Sequence, residues 1–367
     1  MNMDEFDSLL LELITCRPVT RDIDSVNRVA DRIAAFASEH GLFCTTENIG
    51  GRHTVFAATE AGKKPDLLLN AHIDVVPAIE EKQYTPEIKD GILYARGAGD
   101  CLGNAVTILR FLCSWKKRNS AISAGGVFSA DEETGGASTE GMMKRGYAAK
   151  QMILVLDSWL NGDICCAQKG ILSLKLTAQG KGGHSSKPWG LVNPIDRLTD
   201  AYLRLRSVWE NPSSEEDWRN SMTPCVLRAG AVENQVPDTA EMVLNFRYVR
   251  DADRVQILDL VREQTGLDFV ILQECPPVYN DTSTPVLETL RRIAAEEFCR
   301  PDAKFTRMCG ATDARFWKET GVPLAIFGLQ TFGLHSAEEG LVLNSISRLM
   351  RSLTRLAESL SSVSVSS

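Results

Sequence analysis

The chain has 367 residues, and its length, composition and charge already exclude several classes of protein. A typical domain has about 100–200 residues, so the length predicts two domains. Hydrophobic residues make up 44% and charged residues 24%, which is typical of a globular protein and excludes a disordered or collagen-like chain. The formal net charge is −8, from 40 basic and 48 acidic residues, and it disfavours nucleic acid as a partner.

The sequence favours the cytoplasm as the location of the protein. No apolar run approaches the roughly 18 residues that a membrane-spanning helix needs, so we expect no membrane partner. Residues 1–6 include acidic residues and no basic one, which is unlike a signal peptide. The 10 cysteines show no C-x-x-C spacing, and this usage is typical of a reducing compartment.

The first part of the chain is predicted to be helical. Residues from Asp4 to Thr15 form a short helix that ends before Pro18. Asp24 is expected to cap a second helix, which Gly41 follows. The apolar residues of this second helix recur at helical spacing and form one stripe: Val26, Val29, Ala30, Ile33 and Ala37.

Short apolar runs then alternate with a helix and predict an α/β fold. Leu67–Leu69 lies between polar residues and is typical of a buried strand. Further runs have the same character: Gly126–Ala130, Ile153–Leu156 and Pro323–Phe327. The pattern of Asn104–Ser114 is helical. Strands that alternate with helices indicate a parallel or mixed sheet.

The middle of the chain has a different pattern. Apolar and polar residues alternate along Ile171–Ala178 and again along Glu241–Tyr248, with a helical stretch between them. Alternation with period two predicts a half-exposed, antiparallel sheet. We therefore expect residues 172–283 to form a separate α+β unit, inserted in an α/β domain of residues 1–171 and 284–367.

Charged residues follow the predicted strands. His72 and Asp74 come after Leu67–Leu69, and Asp157 ends Ile153–Leu156. Open α/β sheets bind ligands at the carboxyl ends of their strands. A carboxylate two residues from a histidine can orient the imidazole as a metal ligand. A structural histidine and a capping aspartate are the alternatives at these positions.

Two more segments carry residues of the same kind. Glu132 and Glu133 lie in a run of three acids after Gly126–Ala130. Adjacent carboxylates repel one another, so the pKa of at least one should rise unless a cation binds. A solvated turn is the alternative for this run. His335 lies between glycines after the last apolar run, ahead of a predicted amphipathic helix over residues 345–360.

A glycine-rich loop, Gly97–Gly103, allows two interpretations. Its glycines let the backbone approach a ligand closely, and Asp100 within it could bind a metal. The same loop resembles a dinucleotide-binding loop, which would make the protein a nucleotide-dependent oxidoreductase. That alternative lacks an acidic residue for the ribose at the expected distance.

Together these segments offer nitrogen and oxygen donors without a thiolate, a set that suits zinc, manganese or cobalt. The candidate ligands are His72, Asp100, Glu133, Asp157 and His335. Two divalent ions would bring more positive charge than the three ligand carboxylates neutralise. The excess positive charge favours a bound hydroxide.

These motifs, in this order and over nearly the whole chain, resemble the M20 metallopeptidases. That family includes acetylornithine deacetylase, succinyl-diaminopimelate desuccinylase, glutamate carboxypeptidase and carnosinase-type dipeptidases. The resemblance implies a zinc-peptidase-like catalytic domain, with a mixed sheet flanked by helices, and an inserted α+β lid domain through which a homodimer forms. The matching segments are residues 70–74, 94–103, 131–134, 157, 182–188 and 334–340.

The resemblance also implies roles for the candidate ligands. Two divalent ions, with zinc favoured, would be bound by His72 and Asp157 on one side, by Glu133 and His335 on the other, and by Asp100 on both. Asp74 would orient His72. Glu132 would be the general base that removes a proton from the water between the ions, and the resulting hydroxide would attack the scissile carbonyl.

Further matches concern the substrate. His184 matches a lid histidine that, in relatives, stabilises the oxyanion of an active site across the dimer. The sequence leaves open whether His184 acts in its own chain. Asn234 and Arg247 resemble contacts to a substrate carboxylate, and a surface charge on a strand is the alternative for Arg247. Thr312 lies in a segment that resembles the substrate loop of the family.

Two departures from the family pattern bear on function. Leu102 stands where many relatives have lysine. Asp157 stands where the deacylases more often have glutamate, whereas aspartate is commoner in the aminopeptidases and dipeptidases. We therefore expect hydrolysis of an amide bond in a small peptide. The alternatives are an N-acyl amino acid deacylase with the same metals and a metal-binding relative that acts through its dimer surface without catalysis. The intact Glu132 argues against the second alternative.

Overall fold

The computed structural model describes residues 4–157 and 161–363, with side chains described up to residue 360. The described residues divide into two compact units. Within these limits, the first comprises Met1–Ala167, Asn280–Arg307 and Thr312–Ser367, and the second comprises Gln168–Tyr279 and Met308–Ala311. The second unit therefore interrupts the first at two places along the chain.

Two helices open the first unit, near their predicted positions. They are Glu5–Thr15 and Ile23–Glu39. The predicted apolar stripe of the second helix is buried, because its residues share one face. Its cap differs from the prediction. The Asp22 carboxylate accepts a hydrogen bond from the backbone N–H of Ser25, whereas Asp24 lies in the first turn.

Further helices of the first unit surround its central sheet. They are Gly103–Lys117, Ala137–Lys144, Pro285–Glu297, Ala314–Trp317 and Asn344–Val363. The C-terminal helix packs against Gly103–Lys117 and Pro285–Glu297. Among residues 4–157 and 161–363, none of the helices has the length and hydropathy that crossing a bilayer would need.

A mixed sheet forms the centre of the first unit. Seven of its strands have the spatial order Phe43–Ile49, Arg52–Ala58, Ala124–Ser129, Leu67–His72, Met152–Leu156, Leu324–Phe327 and Ile164–Gln168, and Phe305–Met308 also pairs with Ile164–Gln168. From Ala124–Ser129 to Leu324–Phe327 in this order, neighbouring strands are parallel. These parallel strands are fully buried, which explains their continuous apolar runs. The predicted α/β fold class is confirmed.

The register places the carboxyl ends of the parallel strands side by side. His72, the last residue of its strand, pairs with Ser129, and Leu156 pairs with Phe327. His72 thus belongs to the strand itself, whereas the sequence predicted it just after the strand. Because the following loops leave the sheet at one edge, their side chains converge there.

A smaller antiparallel sheet lies in the same unit. Its order is Thr331–Phe332, Gly340–Val342, Ile92–Tyr94 and Glu87–Lys89. Gly340 pairs with Tyr94. This pairing brings the loop that carries His335 beside the loop that carries Asp100, although the two loops are far apart in the sequence.

The second unit has an α+β fold. Its antiparallel sheet has the order Ser221–Ala229, Thr239–Tyr248, Gly170–Gln179 and Asp268–Cys275, and the helices Pro194–Ser207 and Asp251–Thr265 pack against it. Leu172 pairs with Phe246 and Leu174 with Leu244, and all four side chains are buried. The predicted alternation along these strands is confirmed.

Candidate metal centre

The candidate ligands of the first unit lie at one edge of its sheet. His72 ends one parallel strand, and Asp157 directly follows the neighbouring strand Met152–Leu156. Glu133 lies in a short 3-10 turn after Ala124–Ser129. His72 is buried, and Asp157 is partly buried. The parallel topology thus brings together residues that the sequence separates.

Asp100 lies between the two candidate histidines. Its Oδ1 atom is 2.8 Å from Nε2 of His72, and its Oδ2 atom is 3.1 Å from Nε2 of His335. The residue is buried, with 8% of its surface exposed, so little water competes for these oxygens. Each oxygen of one carboxylate therefore faces a different imidazole, as a carboxylate that bridges two metal ions must.

Two groups of potential donor atoms share Asp100. Each group keeps its donor atoms within 4.8 Å of one another: His72, Asp100, Cys101 and Asp157 in one group, and Asp100, Glu133 and His335 in the other. Imidazole nitrogens and carboxylate oxygens suit divalent transition metals. The donor sets and the shared carboxylate therefore fit a pair of divalent ions with Asp100 between them.

Cys101 is a member of the first group that the sequence did not single out. Its thiol is buried and donates a hydrogen bond to the backbone carbonyl of Leu156 at 2.8 Å. Burial raises the pKa of this thiol well above its ordinary value. Cys101 therefore acts as a hydrogen-bond donor that ties the Asp100 loop to the strand before Asp157.

Asp74 supports the centre in two ways. Nδ1 of His72 is 2.9 Å from the backbone carbonyl of Asp74 and 3.5 Å from its carboxylate, so the carbonyl makes the closer contact. The carboxylate accepts hydrogen bonds from the backbone N–H groups of Glu132 and Glu133, at 3.1 and 3.3 Å. Asp74 therefore also fixes the turn that carries the acidic run, a role that the sequence did not predict.

Glu132 is held by a buried arginine that sequence reasoning missed. Nη1 of Arg315 donates to Oε1 of Glu132 at 3.1 Å and to the carbonyl of Thr312 at 3.0 Å. Nη2 of Arg315 is 3.9 Å from Asp313, whose other oxygen accepts a hydrogen bond from Ser129. The one local signal that could have pointed to Arg315 is its place two residues after residues 310–313, the segment that resembles the substrate loop of the family.

Burial and neighbouring charges shift the pKa values of the centre. Burial, with repulsion from Asp157, raises the pKa of Glu132 well above its ordinary value. Burial and repulsion from Asp100 raise the pKa of Asp157 to about 7. Hydrogen bonds to Asp100 and Glu133 raise the pKa of His335 to about 10. The sequence predicted a raised pKa in the acidic run from repulsion between neighbours, but burial is its main cause.

The backbone of the glycine-rich loop binds a carboxylate of the same chain, the side chain of Glu339. The backbone N–H groups of Gly97, Gly99 and Asp100 all donate to Oε1 of Glu339, at 2.9, 3.0 and 3.1 Å. A dinucleotide-binding loop would direct such groups at a phosphate. Because Glu339 already occupies them, the geometry disfavours the oxidoreductase alternative.

The predicted lid residues lie in the second unit. His184 pairs with Gln235 in a short antiparallel ladder, and Ser185 donates a backbone hydrogen bond to the Asn234 carbonyl at 3.0 Å. Nδ1 of His184 accepts a hydrogen bond from the backbone N–H of Ser186 at 3.2 Å. A neutral His184 that accepts at Nδ1 carries its proton on Nε2.

The remaining predicted substrate contacts lie in different units. Arg247, in the second unit, is half-buried in Thr239–Tyr248 and donates from Nε to Asn245 at 3.2 Å. Thr312, in the first unit, is buried, and its hydroxyl accepts a hydrogen bond from the backbone N–H of Ala314 at 3.2 Å.

Comparison with known proteins assigns the family. A profile of Peptidase family M20/M25/M40 matches residues 68–359. The chain belongs to this family. Among curated proteins, the succinyl-diaminopimelate desuccinylase of Xylella fastidiosa is 25% identical to the M20 chain over 379 residues, which cover 95% of this chain and 96% of the relative. The resemblance inferred from the sequence motifs is confirmed.

Solved structures share the fold of this M20 protein. A tripeptidase from Staphylococcus aureus superposes with a TM-score of 0.79 at 17% identity, over 97% of both chains. An M20 family metallo-carboxypeptidase from Sulfolobus solfataricus superposes with a TM-score of 0.81 at 16% identity, over 97% of this chain and 99% of the other. As an M20 family member, the chain is an enzyme that hydrolyses amide bonds.

Proposed function

We propose that the protein hydrolyses an amide bond in a small peptide at a centre of two divalent ions, with zinc favoured over manganese or cobalt. The observation that carries this proposal is the position of Asp100, whose two oxygens face different histidines. One ion would be held by His72 and Asp157, the other by Glu133 and His335, and Asp100 would bind both.

The residues around the ions have separate tasks in the proposed reaction. When bound, the ions lower the pKa of a water molecule and polarise the scissile carbonyl. Glu132 would take a proton from the attacking water and deliver it to the leaving amine. Arg315 holds one oxygen of Glu132, so this carboxylate enters the reaction already oriented.

The second unit would supply contacts to the substrate as a lid and dimerisation domain. Nε2–H of His184 would donate to the oxyanion that forms when the carbonyl is attacked. Arg247 and Asn234 would bind a carboxylate of the substrate, and Thr312 of the first unit would contact the peptide. The position of Arg247 supports this role, because the residue is half-buried in its strand and a guanidinium can bind a carboxylate through two parallel hydrogen bonds.

A second candidate is an N-acyl amino acid deacylase that uses the same centre. The similarity to a desuccinylase over most of both chains favours it. Asp157 favours a peptide substrate, because aspartate is commoner at this position in the aminopeptidases and dipeptidases of the family. Both reactions break an amide bond, so the metal centre serves either one, and only the pockets around the substrate differ.

A hydrolysis screen separates the two candidates. Zinc- or manganese-loaded protein is incubated separately with free-amino dipeptides and tripeptides and with N-acetyl and N-succinyl amino acids. A chelator-treated sample is the control. We expect cleavage of the free-amino peptides and its loss in the chelator. Cleavage confined to the N-acylated compounds would make the protein a deacylase, and cleavage that survives the chelator would contradict metal dependence.

A further inference from the structure

Glu339 is a buried carboxylate that lies four residues after His335. Its Oε1 atom accepts hydrogen bonds from the backbone N–H groups of Gly97, Gly99 and Asp100. Three N–H groups directed at one oxygen form a concave anion site in the backbone. Glu339 therefore holds the backbone of Asp100 directly.

The other oxygen of Glu339 forms an ion pair with Arg96. Both side chains are buried, with about 1% of each residue exposed. Arg96 also donates to the carbonyl of Ser336 at 3.3 Å, and Gln83 donates to the same carbonyl at 2.8 Å. Ser336 directly follows His335, so this ion pair fixes the segment that carries the histidine.

The loop conformation that allows this contact depends on glycine at one position. Gly97 has a φ of +85°, a backbone angle that residues with a Cβ atom rarely adopt. A Cβ at this residue would also lie 2.8 Å from Cγ1 of Val75. The loop is thus built to present its N–H groups to Glu339.

We propose that Glu339, paired with Arg96, is a positioning residue that holds Asp100 and His335 at the separation needed to bind the second ion. This inference rests on the two-ion centre proposed above and adds the element that assembles it. The ion bound by Glu133 and His335 depends on both loops that Glu339 joins. The ion bound by His72 and Asp157 depends on only one of them.

The adjacent Glu338 offers a matched control. It lies on the same segment, but its side chain is exposed. In Glu339→Gln the side chain keeps its size but loses its negative charge. That charge holds Arg96, and it also strengthens the three hydrogen bonds from the backbone N–H groups. We expect its affinity for the second zinc ion to fall about 10–100-fold, with the first ion much less affected. Glu338→Gln should bind both ions as the unchanged protein does.

Zinc dissociation constants, measured by competition with a chromophoric chelator, test this inference. Melting temperatures of the metal-free variants report whether each one is folded. We expect excess zinc to restore the kcat of Glu339→Gln, because a positioning defect weakens binding and leaves the reacting groups in place. If Glu339→Gln does not fold, the double variant Arg96→Met with Glu339→Gln removes both buried charges and should show the same selective loss.

The outcomes separate this inference from the proposed function. If the unchanged protein binds two ions and the folded Glu339 variant binds both with the same affinities, Glu339 is not a positioning residue. An equal loss of affinity for both ions would also overturn the inference, because it would indicate a general structural effect. If the unchanged protein itself fails to bind two ions, the proposed metal centre is wrong.

Discussion

Glu132 is the residue on which the proposed proton transfer depends. In Glu132→Gln the side chain keeps its shape but can no longer accept a proton. We expect kcat to fall roughly 10²–10⁴-fold, the usual contribution of a general base. Among the described residues, Glu132 belongs to neither donor group, so elemental analysis should find an unchanged metal content. The neighbouring variant Glu133→Gln should lose metal, and metal loss in the Glu132 variant would contradict its role.

If His335 binds a metal ion, as proposed, metal binding must depend on pH. Hydrogen bonds to Asp100 and Glu133 raise its pKa from 6.5 to about 10, so the metal-free protein keeps this ring protonated at neutral pH. Because the folded-state pKa is raised, the protonated ring stabilises the fold fully below pH 6.5, and this contribution is lost as the pH rises through about 10. A metal ion must displace the same proton.

We therefore expect the affinity for zinc to increase between pH 6.5 and about 10, with protons released on binding. Titration calorimetry in two buffers of different ionisation enthalpy counts these protons. The observed binding enthalpy should differ between the buffers near neutral pH. An affinity that stays constant over this range, with no proton released, would show that His335 is not a ligand.

The sequence pointed to the candidate ligands but not to the residues that support them. His72 ends a buried strand, Asp157 follows one, and Asp100 follows glycines, and such positions can be recognised locally. Arg315 and Glu339 act through partners far away in the chain, and neither residue differs locally from an ordinary charged side chain. Their roles follow from the tertiary contacts alone.

The start of the helix Ile23–Glu39 differs from its prediction by two residues. Aspartate is a common helix cap, and the sequence pattern predicted Asp24 in this position. The structure uses Asp22, whose carboxylate reaches the backbone N–H of Ser25 at 3.1 Å. A shift of two residues lies within the freedom that local preferences leave at helix ends.

The two aspartates provide a matched pair of variants. Asp22→Ala removes the cap and should lower the free energy of unfolding by about 1 kcal/mol. Asp24→Ala removes only a charge in the first turn and should cost about 0.3–1 kcal/mol. Urea denaturation measures both values. A larger loss for Asp24→Ala would contradict the assignment of the cap.

Strands were predictable where both of their faces are buried. Leu67–His72 and Met152–Leu156 have continuous apolar runs because helices cover the parallel sheet. The flanking strand Phe43–Ile49 is half-exposed, and its mixed composition did not stand out. Very short strands such as Ile92–Tyr94 have no pattern of their own, and they form because the sheet pairs them.

The division of the chain into units depends on distant contacts at one point. The second unit comprises Gln168–Tyr279, near the predicted 172–283, together with Met308–Ala311. The segment Met308–Ala311 lies well beyond the predicted boundary, and no change of composition marks it. A short segment of this kind is assigned by its neighbours in space, which a linear pattern does not contain.

The proposed dimer has a consequence for catalysis that a mixing experiment can measure. If His184 serves the site of a partner subunit, Glu132→Gln chains mixed with His184→Ala chains form hybrid dimers with one intact site. We expect activity to reappear on mixing two samples that are each nearly inactive. No recovery after subunit exchange, confirmed by mass spectrometry, would show that His184 acts within its own chain or has no such role.

The proposed reaction depends above all on two ions that share the Asp100 carboxylate. Titration of metal-free protein with zinc, with activity measured at every addition, tests this claim most directly. We expect saturation at two ions per chain, and we expect Asp100→Asn to weaken the binding of both ions together. Saturation at a single ion, or an Asp100→Asn variant that keeps one ion at its original affinity, would contradict it.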